Sequence, residues 1–212
     1  MSSKSHFFRG GINLIADYQF NNNLIDSVNG YDLANFNVTF NNANAVFNGS
    51  TSNARRVDTN DIFSFTDGSN DLPFRIETSI KFNSTTSSDF QVFANKRDGA
   101  STQCEWQLYF DRALNQISIA IFANGITNDF IIKSFDIVPL INTIYDIVVE
   151  YDASKTIDGL KIFVNGAEGT SETIIGVYNG MQKTDSRFIL GKFGFSSVYW
   201  FNGEMDYLKI YK

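Results

Sequence analysis

Apolar and polar residues alternate along most of this chain, and a period of two is typical of half-buried β-strands. In the clearest case, Phe74–Phe82, apolar positions fall on one face and charged positions on the other. No amphipathic run of ten or more residues appears, and only Leu140–Tyr145 has room for a single helical turn. The same alternation predicts strands at five further places: Trp106–Phe110, Ile117–Ile121, Tyr145–Tyr151, Leu160–Val164 and Leu208–Ile210.

Turn signals separate these segments. Asn-Gly and Asp-Gly pairs tolerate the positive φ angles of tight hairpin turns. They occur at 29–30, 48–49, 67–68, 98–99, 124–125, 158–159, 165–166, 179–180 and 202–203. Strands with one apolar and one polar face form antiparallel sheets, and two such sheets bury their apolar faces by packing together. The sequence therefore predicts an all-β, two-sheet antiparallel sandwich with little helix.

Composition and net charge limit the kinds of partner that we expect this protein to bind. The chain has 212 residues, 43% of them hydrophobic, and a formal net charge of −6. It therefore has ample material for a core but lacks the basic field that nucleic-acid binding requires, so we expect no nucleic-acid partner. No apolar run reaches the length of a membrane span, so we expect no membrane insertion. The single cysteine, Cys104, rules out an intrachain disulfide and is expected to be a semi-buried thiol.

The first residues differ from the rest. Residues 1–11 contain Phe7, Phe8 and the only histidine, His6, in a short polar context. We interpret 1–11 as an arm or tail and 12–212 as one domain. The arm either folds back on its own sandwich or docks on a neighbouring subunit, and both alternatives stay open.

Several strings, in the right order, resemble the laminin G-like, concanavalin A-like jelly-roll superfamily. They are Leu14–Phe20, Ala45–Ser50, Phe74–Phe82, Leu160–Gly166 and, most specifically, Phe201–Tyr211. The resemblance implies two curved antiparallel sheets in a jelly roll, with a concave face or rim loops that hold a glycan in many relatives. Since such relatives include enzymes, lectins, adhesion modules and structural domains, the function has to be argued from the site.

An enzyme is not expected. Glycoside hydrolysis needs two carboxylates across the scissile bond. In enzymes of this fold they stand on one strand as Glu-x-Asp-x-Glu, but here Glu150 and Asp152 are followed by Ser154. We interpret Glu150 as a solvated carboxylate at a strand end. Nucleophilic schemes fail because Cys104 has no plausible histidine partner.

The resemblance implies one structural calcium ion, held by the Asp of the terminal signature and by early backbone carbonyls. Those positions are Asp206 and Gly49. Independently, Met205 and Leu208 are both apolar but three apart, so strict alternation cannot bury both. A bulge around Asp206 would reconcile them.

Glycan binding uses aromatic faces and polar partners for hydroxyl groups. A strand faces two ways, so Tyr199, Trp200 and Phe201 cannot all point into one core. The candidate ligand-binding residues are Tyr199, Trp200, Tyr178, Phe195 and Arg97.

These observations predict a non-catalytic binding or adhesion module that recognises a glycan or glycoprotein. The alternative is a structural or decoration subunit of a virus or phage particle, attached to other virion proteins through residues 1–11. A glycoside hydrolase is the third reading. We expect an extracellular or virion-surface location, and homo-oligomerisation stays open.

Overall fold

The structure is a computed structural model that describes residues 11–58, 60–98, 103–124, 128–194 and 197–212. In this part of the chain, sixteen strands form two antiparallel sheets, and the only helical element is a 3-10 turn at Ile157–Gly159. The predicted all-β sandwich with little helix is confirmed. Within these ranges, no helix is both long enough and apolar enough to cross a membrane.

The first sheet has eight strands, in the order β13-β12-β11-β6-β16-β4-β3, and its last strand along the chain, β16, also pairs with β1. The strands are β1 (Leu14–Tyr18), β3 (Thr39–Asn41), β4 (Asn44–Asn48), β6 (Phe74–Phe82), β11 (Ile144–Tyr151), β12 (Leu160–Val164), β13 (Ala167–Glu168) and β16 (Asn202–Tyr211).

The second sheet also has eight strands, in the order β14-β10-β9-β8-β7-β15-β5-β2. They are β2 (Ala34–Phe36), β5 (Asn53–Arg56), β7 (Phe90–Arg97), β8 (Cys104–Asp111), β9 (Gln116–Asn124), β10 (Asp129–Asp136), β14 (Ser171–Ile175) and β15 (Phe188–Leu190).

The core lies between the sheets and is rich in aromatic rings. Phe82 of the first sheet contacts Phe93 and Phe110 of the second edge to face, and Phe65 stacks on Phe74 at 4.0 Å between ring centroids. Such pairs add stabilisation beyond the burial of their area.

The two sheets differ on their outer faces. β6 alternates as predicted, with Ile76 and Ile80 in the core and Arg75 half-buried on the other side. In β8, by contrast, all eight residues are buried. The predicted combination of one apolar and one polar face is therefore correct for β6. It is wrong for β8, because other residues of the chain cover the outer face of the second sheet.

Two local predictions are also wrong. Leu140–Tyr145 forms a turn that leads into β11 rather than a helical turn, and the Tyr145 hydroxyl accepts a hydrogen bond from the Leu140 N–H at 2.7 Å. Asn202 and Gly203 open β16 instead of making a hairpin turn. The Asn165–Gly166 pair does form the turn between β12 and β13, with φ angles of 51° and 82°.

The residues predicted as an arm lie outside the described part of the chain, except Gly11. The domain that follows is anchored at once, because β1 pairs with β16 and Asn13 exchanges two backbone hydrogen bonds of 2.9 Å with Lys212.

Candidate functional site

The outer face of the second sheet, which points away from the core, carries a second apolar cluster. Strand parity places it there: Trp106 and Leu108 of β8 lie in the core, so Tyr109 points outward. We call this group the outer aromatic cluster. It consists of Val92, Cys104, Tyr109, Ala120, Phe122 and Phe193, with Phe90, Phe130, Ile132 and Tyr199 partly buried against them.

One segment folds back over this face. Lys192 and Trp200 pair as an isolated β-bridge, and the Phe193 N–H donates to the Tyr199 carbonyl at 2.9 Å. Asn95 of β7 fixes the start of the segment, because its amide donates to the Lys192 carbonyl at 2.8 Å. Residues 192–194 and 197–200 are thereby held against the sheet by the pairing between them and by a buried amide.

Tyr199 and Trp200, two of the candidate ligand-binding residues, make different contacts. Tyr199 is half-buried and meets Phe90 and Phe193 edge to face, with centroids 5.2 and 5.4 Å away. Trp200 is 9% exposed, donates from its indole nitrogen to the Ser197 carbonyl at 2.6 Å, and carries the Lys192 ammonium 4.6 Å from its ring centre. Phe201 is fully buried in the core, so Tyr199 is the one of the three that meets solvent most.

Arg97 lies beneath the same segment rather than in a loop. It ends β7, is 2% exposed, and places its guanidinium 3.6 Å from the centre of the Phe193 ring. One nitrogen donates to Gln107 Oε1 at 3.2 Å, and burial lowers the pKa of the guanidinium. Arg97 is thus placed to position Phe193.

The remaining two candidates are not in this group. Phe195 lies outside the described residues. Tyr178 donates its hydroxyl to Asp71 Oδ2 at 2.8 Å, and Tyr151 donates to the same oxygen at 2.5 Å. Burial raises the pKa of the Tyr178 phenol. Tyr151 packs on Phe74, at the start of β6, with ring centroids 5.6 Å apart.

Sequence reasoning missed the cations beside the outer aromatic cluster. Ala54 is in the core, so Arg55 of β5 points outward, and it pairs with Ile189, which in turn pairs with Asn95. Burial, and to a smaller extent the charge of Arg55, lowers the pKa of Lys192. In the sequence, the two consecutive arginines at 55–56 could have indicated this positive charge.

The outer face of the first sheet is different, because its charges neutralise one another. Lys81 pairs with Glu204 at 2.9 Å, and Arg75 pairs with both Glu77 and Glu150. Glu150 is only 2% exposed, so its interpretation as a solvated carboxylate is wrong.

The positions implied for calcium do not form one coordination sphere. The predicted bulge is confirmed, since the register of β16 shifts between Met205 and Tyr207, and Asp206 is exposed there. The Gly49 N–H, however, bonds the Phe201 carbonyl at 3.0 Å, five positions along the strand from Asp206. Five positions span about 16 Å, whereas Ca²⁺ holds its ligands at about 2.4 Å. No group of three His, Cys, Asp or Glu suited to a metal occurs within the described ranges.

Calcium binding stays a prediction, with a direct test. A ligand that binds only the folded state raises the melting temperature. If calcium binds, addition of a chelator will lower the melting temperature and calcium in excess will restore it. An unchanged melting temperature would contradict calcium binding.

Comparison with known families agrees with the two-sheet geometry. A family profile described as "Concanavalin A-like lectin/glucanases superfamily", of the laminin G type, matches residues 51–212. The chain belongs to this superfamily. No curated protein sequence matches it.

Solved structures show the same fold for nearly the whole superfamily domain. The binding domain of botulinum neurotoxin serotype D superposes with a TM-score of 0.65 at 16% identity, over 93% of this chain and 47% of that one. Trypanosoma rangeli sialidase in complex with sialic acid gives 0.61 at 12% identity, over 92% of this chain and 30% of that one. The chain thus spans about half of the toxin domain and under a third of the sialidase, and the likeness concerns the fold.

Proposed function

We propose that this chain is a non-catalytic carbohydrate-binding module whose site is the outer face of the second sheet, around Tyr199. The observation that carries the proposal is the contrast between the two outer faces. One bears ion pairs beside the half-buried Tyr207 and Tyr211. The other bears an aromatic cluster of ten residues, in which Tyr199 and Phe90 are half-exposed. Apolar surface rimmed by polar groups is typical of binding sites.

The chemistry of this face suits a sugar. Aromatic rings stack on the C–H faces of sugar rings, and nearby polar groups bond the hydroxyls. Lys192 lies over Trp200, and the half-buried Tyr199 ring is fixed by two edge-to-face contacts. Rings held in this way lose little entropy when a ligand binds.

Binding without catalysis is supported by the state of Glu150. Its partner Arg75 and its burial on the first sheet keep it away from the proposed site. We place the protein outside the cell or on a virion surface, where a glycan or glycoprotein partner would be met.

A glycan array with substituted proteins tests the proposal. We expect Tyr199→Ala to weaken binding about tenfold or more, since it removes one stacking partner. Tyr207→Ala is the matched control, because Tyr207 is half-buried on the opposite sheet. Equal loss in both variants, or no glycan bound by the unaltered chain, would refute the proposal.

The assembly alternative depends on residues 1–11, of which the structure describes only Gly11. It makes its own prediction: deletion of 1–11 will abolish a stable oligomer or attachment to particle proteins while leaving the fold intact. Light scattering and circular dichroism on the truncated protein check it, and an unchanged oligomeric state would exclude a role of the arm in self-assembly.

A further inference from the structure

A groove on the edge of the second sheet collects positive charge on a chain that is negative overall. Three of the seven arginines, Arg55, Arg56 and Arg187, line it, in a protein of net charge −6. Its volume is about 640 Å³, within the range of ligand pockets of about 300–1,000 Å³. The other lining residues are Asp32, Ala34, Phe36 and Val57.

Contacts hold two of the guanidinium groups in place without neutralising them. The Arg55 guanidinium lies 3.9 Å from the centre of the Phe36 ring, and that of Arg56 lies 5.2 Å from the Tyr31 ring. Stacking leaves the in-plane donors of a guanidinium available to a ligand. Arg56 uses one of them, since its Nη1 donates to the Asp32 carbonyl at 3.3 Å. Among the described residues, neither arginine forms an ion pair with a carboxylate.

The groups that oppose this charge are few. Asp32 is the one carboxylate in the lining, and its Oδ1 accepts the Asp26 N–H at 3.0 Å. Arg187 Nε lies 3.4 Å from Asp98 Oδ2, and the Arg187 side chain is 41% exposed. The groove therefore keeps a net positive charge.

Strand pairing links the groove to the outer aromatic cluster. Arg55, Ile189 and Asn95 form a row across three paired strands, and Asn95 bonds the Lys192 carbonyl. Lys192 in turn lies over Trp200. A glycan with one sugar stacked on Tyr199 would thus extend past Lys192 towards Arg55.

We propose that the arginine groove binds the acidic group of a glycan, a carboxylate or a sulfate ester, next to the sugar held by the outer aromatic cluster. The inference rests on the proposed function and names its ligand class. Planar guanidinium groups bond such oxyanions through two parallel hydrogen bonds.

Binding titrations with two matched sets of ligands test it: dextran, carboxymethyl dextran and dextran sulfate, and lactose, 3′-sialyllactose and 3′-sulfolactose. We expect an acidic member of a set to bind at least about tenfold more tightly than its neutral member, because each charge-assisted pair contributes about that much. The gain should shrink with added salt. Preference for carboxylate or for sulfate identifies the acidic group.

Substitutions test whether the arginines of the groove cause the tighter binding of acidic ligands. Arg55→Gln and Arg187→Gln should each remove most of the difference in affinity between the acidic and the neutral ligands of a set. Binding of the neutral ligand should stay unchanged. Arg112→Gln is the matched control, since Arg112 is 43% exposed and pairs with Asp89 away from the groove. Unchanged melting temperatures will show that the variants fold, and Arg55→Lys provides a milder second variant.

The outcomes separate the two proposals. If neutral and acidic members bind equally and binding depends on Tyr199, the arginine inference is wrong and the carbohydrate-binding proposal stands. If both arginine variants still bind the acidic ligands more tightly than the neutral ones, by the same factor as the unaltered protein, the arginine inference is also wrong. If no member of either set and no array glycan binds, both proposals fall.

Discussion

At the scale of single residues, the most unusual feature is a buried charged network. Lys96, Asp58 and Glu105 have fully buried side chains, and Lys96 Nζ lies 2.9 Å from Asp58 Oδ2 and 3.6 Å from Glu105 Oε1. Glu105 Oε1 also accepts hydrogen bonds from Ser64 and Thr184. Burial raises the pKa of Glu105 from 4.5 to about 7 despite these partners.

This shift predicts a pH dependence of stability. Between about pH 4.5 and 7 the folded protein keeps the Glu105 proton and the unfolded chain has lost it, so the free energy of unfolding falls as the pH rises. The fall amounts to at most about 3 kcal/mol. Glu105→Gln should remove this slope, while the exposed Glu168→Gln should keep it. Urea unfolding at several pH values measures it, and equal slopes in all three proteins would contradict the prediction.

At the scale of strands, the sequence predicted best where water covers one face. β6 and β12 were predicted with the bounds that the structure gives, because their outer faces meet solvent and alternate. β7 was missed, since bulges between Val92 and Ala94 and between Lys96 and Arg97 break its period. β15, Phe188–Leu190, is buried on both faces and shows no alternation. Of the strands that carry the outer aromatic cluster, β8 and β9 were predicted, because their core-facing residues still alternate with others.

Close packing around Gly203, at the start of β16, predicts the effect of a substitution there. A Cβ atom at Gly203 would lie 2.3 Å from the Lys81 carbonyl oxygen and 2.4 Å from the Phe201 ring. Gly203→Ala should therefore destabilise the protein by about 1–3 kcal/mol. Gly11→Ala, where nothing lies within 4 Å of the added atom, should be neutral. Thermal unfolding compares the two, and a stable Gly203→Ala protein would show that this account of β16 packing is wrong.

At the scale of the whole molecule, charge and aromatic surface are distributed unequally over the two faces. The sequence predicted that Tyr199, Trp200 and Phe201 do not all point into one core, and Phe201 alone of the three belongs to the core cluster. It did not predict Arg55 near them, since Arg55 is distant in the chain and is brought there by the pairing of β5, β15 and β7. It also did not predict that Lys192 pairs with Trp200. The hydrogen bond between Tyr178 and Asp71 was not predicted, because the two residues are more than a hundred positions apart in the sequence.

The central claim is that a glycan binds on the outer face of the second sheet. A crystal structure of the chain with the tightest ligand from the array tests it most directly. We predict that the sugar ring contacts Tyr199 and that any acidic group lies against Arg55 or Arg187. A ligand seated instead on the outer face of the first sheet, near Arg75 and Glu150, would contradict the account.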